Sequence, residues 1–260
     1  MIFSSLYSGS SGNSIFVSSE HSKVLIDAGM PGKSIEEALK IIGEKPEGID
    51  AIFITHEHSD HIKGVGVLSR KYDIPIYANE LTWKGMYKLI GNIKEHNMKF
   101  MNAGVSVNDM DVVNFDIPHD AAAPSGYSII SGGKKVCVAT DLGYFSDNVK
   151  KNIIDADVIL LESNHDVEML KFGPYPYVLK RRILSDIGHL SNEACGRAII
   201  DIMTSKEKRI VLGHLSKTNN YPELAHATVI NILNENKVNI GKEIILSMAD
   251  RSKPSSYIKL

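Results

Sequence analysis

The chain has 260 residues, with 29 Lys and Arg against 31 Asp and Glu and a formal net charge of −2. Hydrophobic residues make up 43% and charged residues 23%, which excludes a disordered chain, a collagen-like repeat and a surface coated in basic charge. Two cysteines, Cys137 and Cys195, cannot build a disulfide framework and point to a reducing, cytoplasmic setting, while ten histidines invite a search for a metal site.

Taken in order, Ile2–Tyr7, Ser14–Ser18 and Lys23–Asp27 read as short strands with Gly, Ser and Asn turns between them. The start has no basic stretch followed by an apolar one, so no signal peptide is expected. No window approaches the roughly 18 apolar residues of a membrane span, so no membrane partner is expected. Ser34–Ile42 has helical spacing and stops at Gly43, and Ala51–Thr55 is a compact apolar strand. Gly64–Lys71 and Glu80–Ile90 read as helices. Ser106–Ile117, Gly126–Ser131 and Lys134–Thr140 read as strands, with Gly132-Gly133 turning a hairpin between the last two. Val158–Leu161 is wholly apolar and so predicted central. A helix over Asn192–Met203, a strand over Arg209–Leu212, a helix over Pro222–Asn236 and a strand over Glu243–Met248 complete the chain. No linker divides it, so residues 1–260 read as one mixed α/β domain, with sheets in the middle and helices outside.

The densest chemistry is Thr55-His56-Glu57-His58-Ser59-Asp60-His61, directly after an apolar strand. Imidazole and carboxylate suit zinc and similar divalent ions. A loop leaving a strand end can turn such neighbours toward one point. A regular helix could not, because i and i+2 do not share a face. Further ligand types follow other apolar strands: His119 after Val112–Pro118, Asp141 after Val136–Thr140 and His214 after Ile210–Gly213. Converging strand ends are where α/β folds assemble sites from distant segments. Each alone is more often a turn residue, but four with the same placement support one another. His21, His96 and His226 lie in polar or helical surroundings and read as surface residues.

The loop His56-x-His58-x-Asp60-His61, with Asp27 upstream and His119, Asp141 and His214 downstream, closely resembles the metallo-β-lactamase superfamily along essentially the whole chain. The resemblance implies a four-layer αβ/βα sandwich of two mixed sheets with outer helices and a two-metal centre at the sheet edge. By position, His56, His58 and His119 would bind one metal and Asp60, His61 and His214 the other, with Asp141 bridging. Asp27 would orient the histidine loop. Zinc fits this shell first, and mixed N/O ligation also admits manganese or iron. Two metals suit in-line displacement at phosphorus, because both the attacking and the leaving oxygen are stabilised.

Leu161-Glu162-Ser163-Asn164-His165 and Gly188-His189-Leu190-Ser191-Asn192 resemble segments of the tRNA 3′-processing nucleases. That likeness implies His189 near the leaving oxygen, oriented by Glu162. Together with Ser8-Gly9-Ser10-Ser11-Gly12-Asn13-Ser14 and Gly213-His214-Leu215-Ser216-Lys217-Thr218-Asn219-Asn220, these segments look like the YycJ/WalJ family of bacterial exonucleases. The implied function is a dinuclear metal-dependent DNA exonuclease working 5′ to 3′ with water activated at the metals, its catalytic residues Asp60, His189 and Glu162. Substrate contacts are expected from Ser10, Ser11, Asn13, His165, Tyr175, Lys180, Arg181, Asn192, Ser216 and Asn219. Tyrosines stack on unpaired bases and Lys or Arg neutralise phosphates, which is why Tyr175, Lys180 and Arg181 are included. The partner expected is DNA, with a homodimer admitted by the resemblance. A small cyclic phosphodiesterase, an RNA-processing nuclease of the same fold and a metal-stabilised nucleic-acid-binding module are the alternatives.

Overall fold

The structure, a computed structural model, describes all residues 1–260. The first half runs β1 (Ile2–Tyr7), β2 (Ser14–Ser18), β3 (Lys23–Ile26), α1 (Gly32–Ile41), β4 (Ala51–Phe53), α2 (Ser59–Ile62), α3 (Val65–Tyr72), β5 (Ile76–Ala78), α4 (Glu80–Ile90) and β6 (Met98–Phe100). The second half runs β7 (Gly104–Val107), β8 (Met110–Asp116), β9 (Ser125–Ser131), β10 (Lys134–Ala139), α5 (Asp147–Ile153) and β11 (Val158–Glu162). It continues with α6 (Val167–Phe172), α7 (Tyr177–Ile183), α8 (Asn192–Asp201), β12 (Lys208–Gly213), α9 (Pro222–Glu235), β13 (Ile244–Met248) and β14 (Ile258–Lys259).

The strands form two mixed seven-stranded sheets, ordered β14-β1-β2-β3-β4-β5-β6 and β13-β12-β11-β10-β9-β8-β7. β14 returns from the second half to pair antiparallel with β1, so the chain's end closes onto the first sheet. Strand alternation explains the layers. In β4, Ala51 and Phe53 face the space between the sheets, while Ile52 faces the helices. In β11, Val158 and Leu160 turn inward, while Ile159 and Leu161 pack under α5, α8 and α9. Both faces of β11 are covered, which is why its sequence is continuously apolar. The result is the expected αβ/βα sandwich.

Two differences from the sequence reading have physical causes. The single strand expected over 106–117 is a hairpin: β7 and β8 pair antiparallel with Val107 opposite Met110. Asn108 takes the left-handed turn at φ 49°, a conformation that Asn tolerates, and Ser106 Oγ donates to Asp111 across the turn (2.6 Å). The histidine segment is also only partly a loop. His56 lies in the connection after β4 and His58 on extended backbone, but Asp60 and His61 sit in α2, a single helical turn. One turn is short enough that the fanning expected of a regular helix does not arise. The Gly132-Gly133 turn forms as expected, with φ of 57° and 72° joining β9 to β10. No helix is long and apolar enough to cross a membrane.

Candidate metal centre

Strand ends carry the site. Asp27 and Thr55 follow the parallel pair β3 and β4, and His56 comes next. Asp141, Glu162 and His214 stand at the ends of β10, β11 and β12, which are parallel neighbours. His119 follows β8. Three of these residues, Asp27, Asp141 and His214, hold left-handed backbones at φ 61°, 62° and 55°. Such strain persists only where the surroundings over-determine it, and it collects at functional sites.

The side chains meet in overlapping groups whose donor atoms lie within 4.8 Å of one another: His56, His58 and His119; His56, His61 and Asp141; Asp60, His61 and His214; and Asp141, Glu162, His189 and His214. His56 Nε2 and His58 Nδ1 are 3.0 Å apart. Asp141 reaches His61 at 3.3 Å and His214 at 3.1 Å with one oxygen, and His119 at 3.7 Å with the other. The geometry therefore brings together all seven residues expected as ligands, with Asp141 between the two histidine groups.

The donor set fits divalent cations on two observations. His119 Nε2, Asp141 Oδ2 and both ring nitrogens of His214 are buried without a hydrogen-bond partner, an expensive state for polar atoms. The electrostatics also call for positive charge. Burial pulls the His61 ring down, yet the Asp27, Asp60 and Asp141 carboxylates outweigh it and raise its pKa well above the usual value. Burial pushes Asp141 up, yet His214 and His61 hold it well below the usual carboxylate range. Burial and the neighbouring His61 push His56 well below its ordinary value, leaving a neutral ring of the kind that ligates metals.

The surrounding residues lock these donors. Asp27 accepts from the Thr55 backbone N–H (2.9 Å) and hydroxyl (2.8 Å), and its Oδ2 lies 2.7 Å from His61 Nδ1. That leaves His61 Nε2 for the cluster. Ser8 Oγ accepts from the His214 N–H (2.8 Å) and Asn164 Nδ2 donates to the His214 carbonyl (2.8 Å). Neither Ser8 nor Asn164 was expected here; both sit in the motif segments, but a structural hydroxyl or amide looks like any other in sequence. Glu57 turns away, its carboxylate accepting from the Ala122 N–H at 2.8 Å.

His189 Nδ1 lies 2.8 Å from Glu162 Oε1 and 3.6 Å from Asp141 Oδ1. Glu162 Oε2 accepts from the Leu142 and Leu190 N–H groups at 2.6 and 3.2 Å, so one carboxylate ties the Asp141 turn to the His189 loop. Burial lowers the His189 pKa, but the Glu162 carboxylate outweighs it and the result is about 9.

The expected substrate contacts divide. Ser10 and Ser11 are exposed. Asn13 is buried and serves the site from beneath, its Oδ1 accepting from Gly9 N (3.0 Å) and its Nδ2 lying 3.2 Å from His61 Nε2. Asn192 is fully buried and hydrogen-bonded to Ser163 and Asn220, which removes it from substrate contact. Asn219 and Ser216 are buried in one turn, where Ser216 Oγ accepts from the Asn219 N–H (3.2 Å). His165 is buried beside Ser191. Tyr175 is half-buried, Lys180 donates to the Lys171 carbonyl (2.8 Å), and Arg181 is exposed with its guanidinium 5.9 Å from the Tyr177 ring centre. Arg182 instead is linked to the centre: it donates through two nitrogens to Asp120, whose Oδ1 lies 3.4 Å from His119 Nε2.

A family model described as the metallo-beta-lactamase superfamily matches residues 7–214. The chain is 44% identical to exodeoxyribonuclease YycJ of Bacillus anthracis over 255 residues, covering 97% of each. It is 46% identical to exodeoxyribonuclease WalJ of Streptococcus pneumoniae over 243 residues, covering 92% of this chain and 90% of that one. Zn(2+)-bound PqqB from Methylobacterium extorquens superposes with a TM-score of 0.71 at 17% identity, covering 98% of this chain and 100% of that one. Human tRNase Z, short form, gives 0.64 at 17% identity, covering 98% and 99%. At such identity the two structures speak for the fold alone. The chain belongs to the metallo-beta-lactamase superfamily and, within it, to the family that holds the YycJ and WalJ proteins.

Proposed function

We propose that this metal-dependent hydrolase is an exodeoxyribonuclease that removes nucleotides from the 5′ end of DNA. The observation that carries the reading is His189, held by Glu162 beside Asp141, at the edge of a cluster whose donors fit two cations. Near-full-length identity to proteins named exodeoxyribonuclease supports the choice of DNA.

His56, His58 and His119 would hold one cation, and Asp60, His61 and His214 the other, with Asp141 reaching both. Zinc suits the histidine-rich donors, with manganese or iron also admitted by the mixed N/O set. When bound, such ions supply Lewis-acid stabilisation of phosphoryl charge and make water acidic near neutral pH. The chain's own groups do the rest. Asp27 keeps His61 in one orientation and tautomer. Glu162 fixes the His189 ring and favours its protonated form, so His189 can hand a proton to the departing alkoxide. The single turn α2 carries Asp60 and His61 on one short element that hydrogen-bonds the Asn13 and Ala28 backbones. Both cysteines are buried free thiols, which suits work in the cytoplasm.

Digestion of 5′- and 3′-labelled DNA oligonucleotides by metal-reconstituted protein tests the reading. Mononucleotides released first from the 5′ label are expected. Turnover of small phosphodiesters with DNA left intact would transfer the reading to a small-molecule phosphodiesterase.

A further inference from the structure

A pocket of about 330 Å³ opens beside the centre, on the side of His189. His189 lines it and also belongs to the cluster, and Tyr144, Phe145, Leu184 and His165 are among its other lining residues. The volume sits at the small end of ligand sites. Tyr144, one of the lining residues, is 49% exposed and so is not consumed by packing in the core. His165 is 1% exposed, and neither of its ring nitrogens has a hydrogen-bond partner. Buried polar atoms are almost always paired, so this unspent capacity behind a pocket wall points to a ligand. Burial lowers the His165 pKa to about 4, so the ring is neutral and offers one donor and one acceptor.

Away from His189 the lining carries one cation, Arg197, which shares a helix face with Asp201 four residues on, so that end of the pocket offers an anion no unopposed charge. A neutral heterocycle satisfies all of these features: it stacks on Tyr144 or Phe145 and can offer both a donor and an acceptor to His165.

We propose that this pocket is a nucleobase subsite for the nucleotide that bears the leaving oxygen, and this rests on the nuclease reading above. His189 joins the pocket to the cluster, because its Nδ1 lies 3.6 Å from Asp141 Oδ1 and its side chain lines the pocket. Whatever fills the pocket therefore lies against the same ring that stands beside the cluster. The cleaved nucleotide is thereby recognised by its base, independently of the phosphate held at the cluster.

Two measurements test this. The first compares kcat/KM on two single-stranded oligonucleotides that differ only in an abasic residue on the leaving side of the scissile phosphate. The second is calorimetric binding of deoxyadenosine monophosphate and of deoxyribose 5-phosphate. Wild type is expected to prefer the base-bearing substrate by about tenfold or more, and Tyr144→Ala and His165→Asn to collapse that ratio. The same variants should narrow the difference in binding between the two monophosphates. Tyr144 is half exposed, so its variant keeps the fold even if the His165 variant does not. Equal rates on the two oligonucleotides, or a ratio preserved in Tyr144→Ala, would overturn the subsite. If neither oligonucleotide is cut, the nuclease reading fails, and calorimetry alone decides the pocket: base-dependent binding lost in Tyr144→Ala keeps it, and base-independent binding removes it.

Discussion

His189 shows how much of the chemistry rests on single contacts. Its imidazole is placed by one carboxylate, Glu162, which also fastens the backbones of Leu142 and Leu190. His189→Ala removes the proton donor but leaves that carboxylate bonded to both N–H groups. Single-turnover hydrolysis is therefore expected to slow by about 10²–10⁴-fold while DNA affinity changes little. Rapid-quench kinetics beside equilibrium binding would read the two separately, and an unchanged chemical rate would remove His189 from the mechanism. The chemically distinctive residues were legible in the sequence. His56, His58, Asp60, His61, His119, Asp141 and His214 are ligand types placed after apolar strands, and strand ends are where such residues have a use. Asn192, Ser8 and Arg182 were not legible in their parts. An amide or hydroxyl carries no sign of whether it faces a ligand or closes a network in the interior. Which of Lys180, Arg181 and Arg182 meets Asp120 depends on the phase of α7, and sequence spacing does not give it.

At the scale of elements, close approach of backbones sets the site. The turns after β1 and β3 lie directly against α2: Asn13 N donates to the Asp60 carbonyl (2.8 Å) and Ala28 N to the His61 carbonyl (2.9 Å). A Cβ on Gly29 would fall 1.6 Å from the Asp60 carbonyl oxygen, so only glycine fits there. Gly29→Ala must push α2 outward, carrying Asp60 and His61 with it. Loss of thermal stability by about 1–3 kcal/mol is expected, together with weaker metal binding. A scanning-calorimetry midpoint equal to wild type, with metal affinity intact, would show that the two turns are not coupled. Long periodic elements such as α4 and α9, and the apolar β11, were readable because their burial pattern repeats. The three-residue strands β5 and β6 were not, since so few residues carry no period, and the β7–β8 hairpin was hidden because only Asn108-Asp109 separates two β-rich runs.

The whole molecule explains why residues far apart in sequence share one centre. Two sheets packed face to face bring the strand ends of both to a common edge, with the first sheet supplying Asp27 and the 56–61 segment and the second supplying His119, Asp141, Glu162 and His214. The superfamily's motif order made that convergence legible before any coordinates. What composition and periodicity alone supplied was two sheet-forming blocks with helices outside, and no statement of how the blocks face each other. The pocket beside His189 belongs wholly to this scale, because Tyr144, His165 and Leu184 come from three separate connections and share no motif. The most direct test of the account is anomalous diffraction from crystals of metal-loaded protein. It predicts two peaks, one among His56, His58 and His119 and one among Asp60, His61 and His214, with Asp141 beside both. A single peak, or peaks away from these side chains, would contradict it.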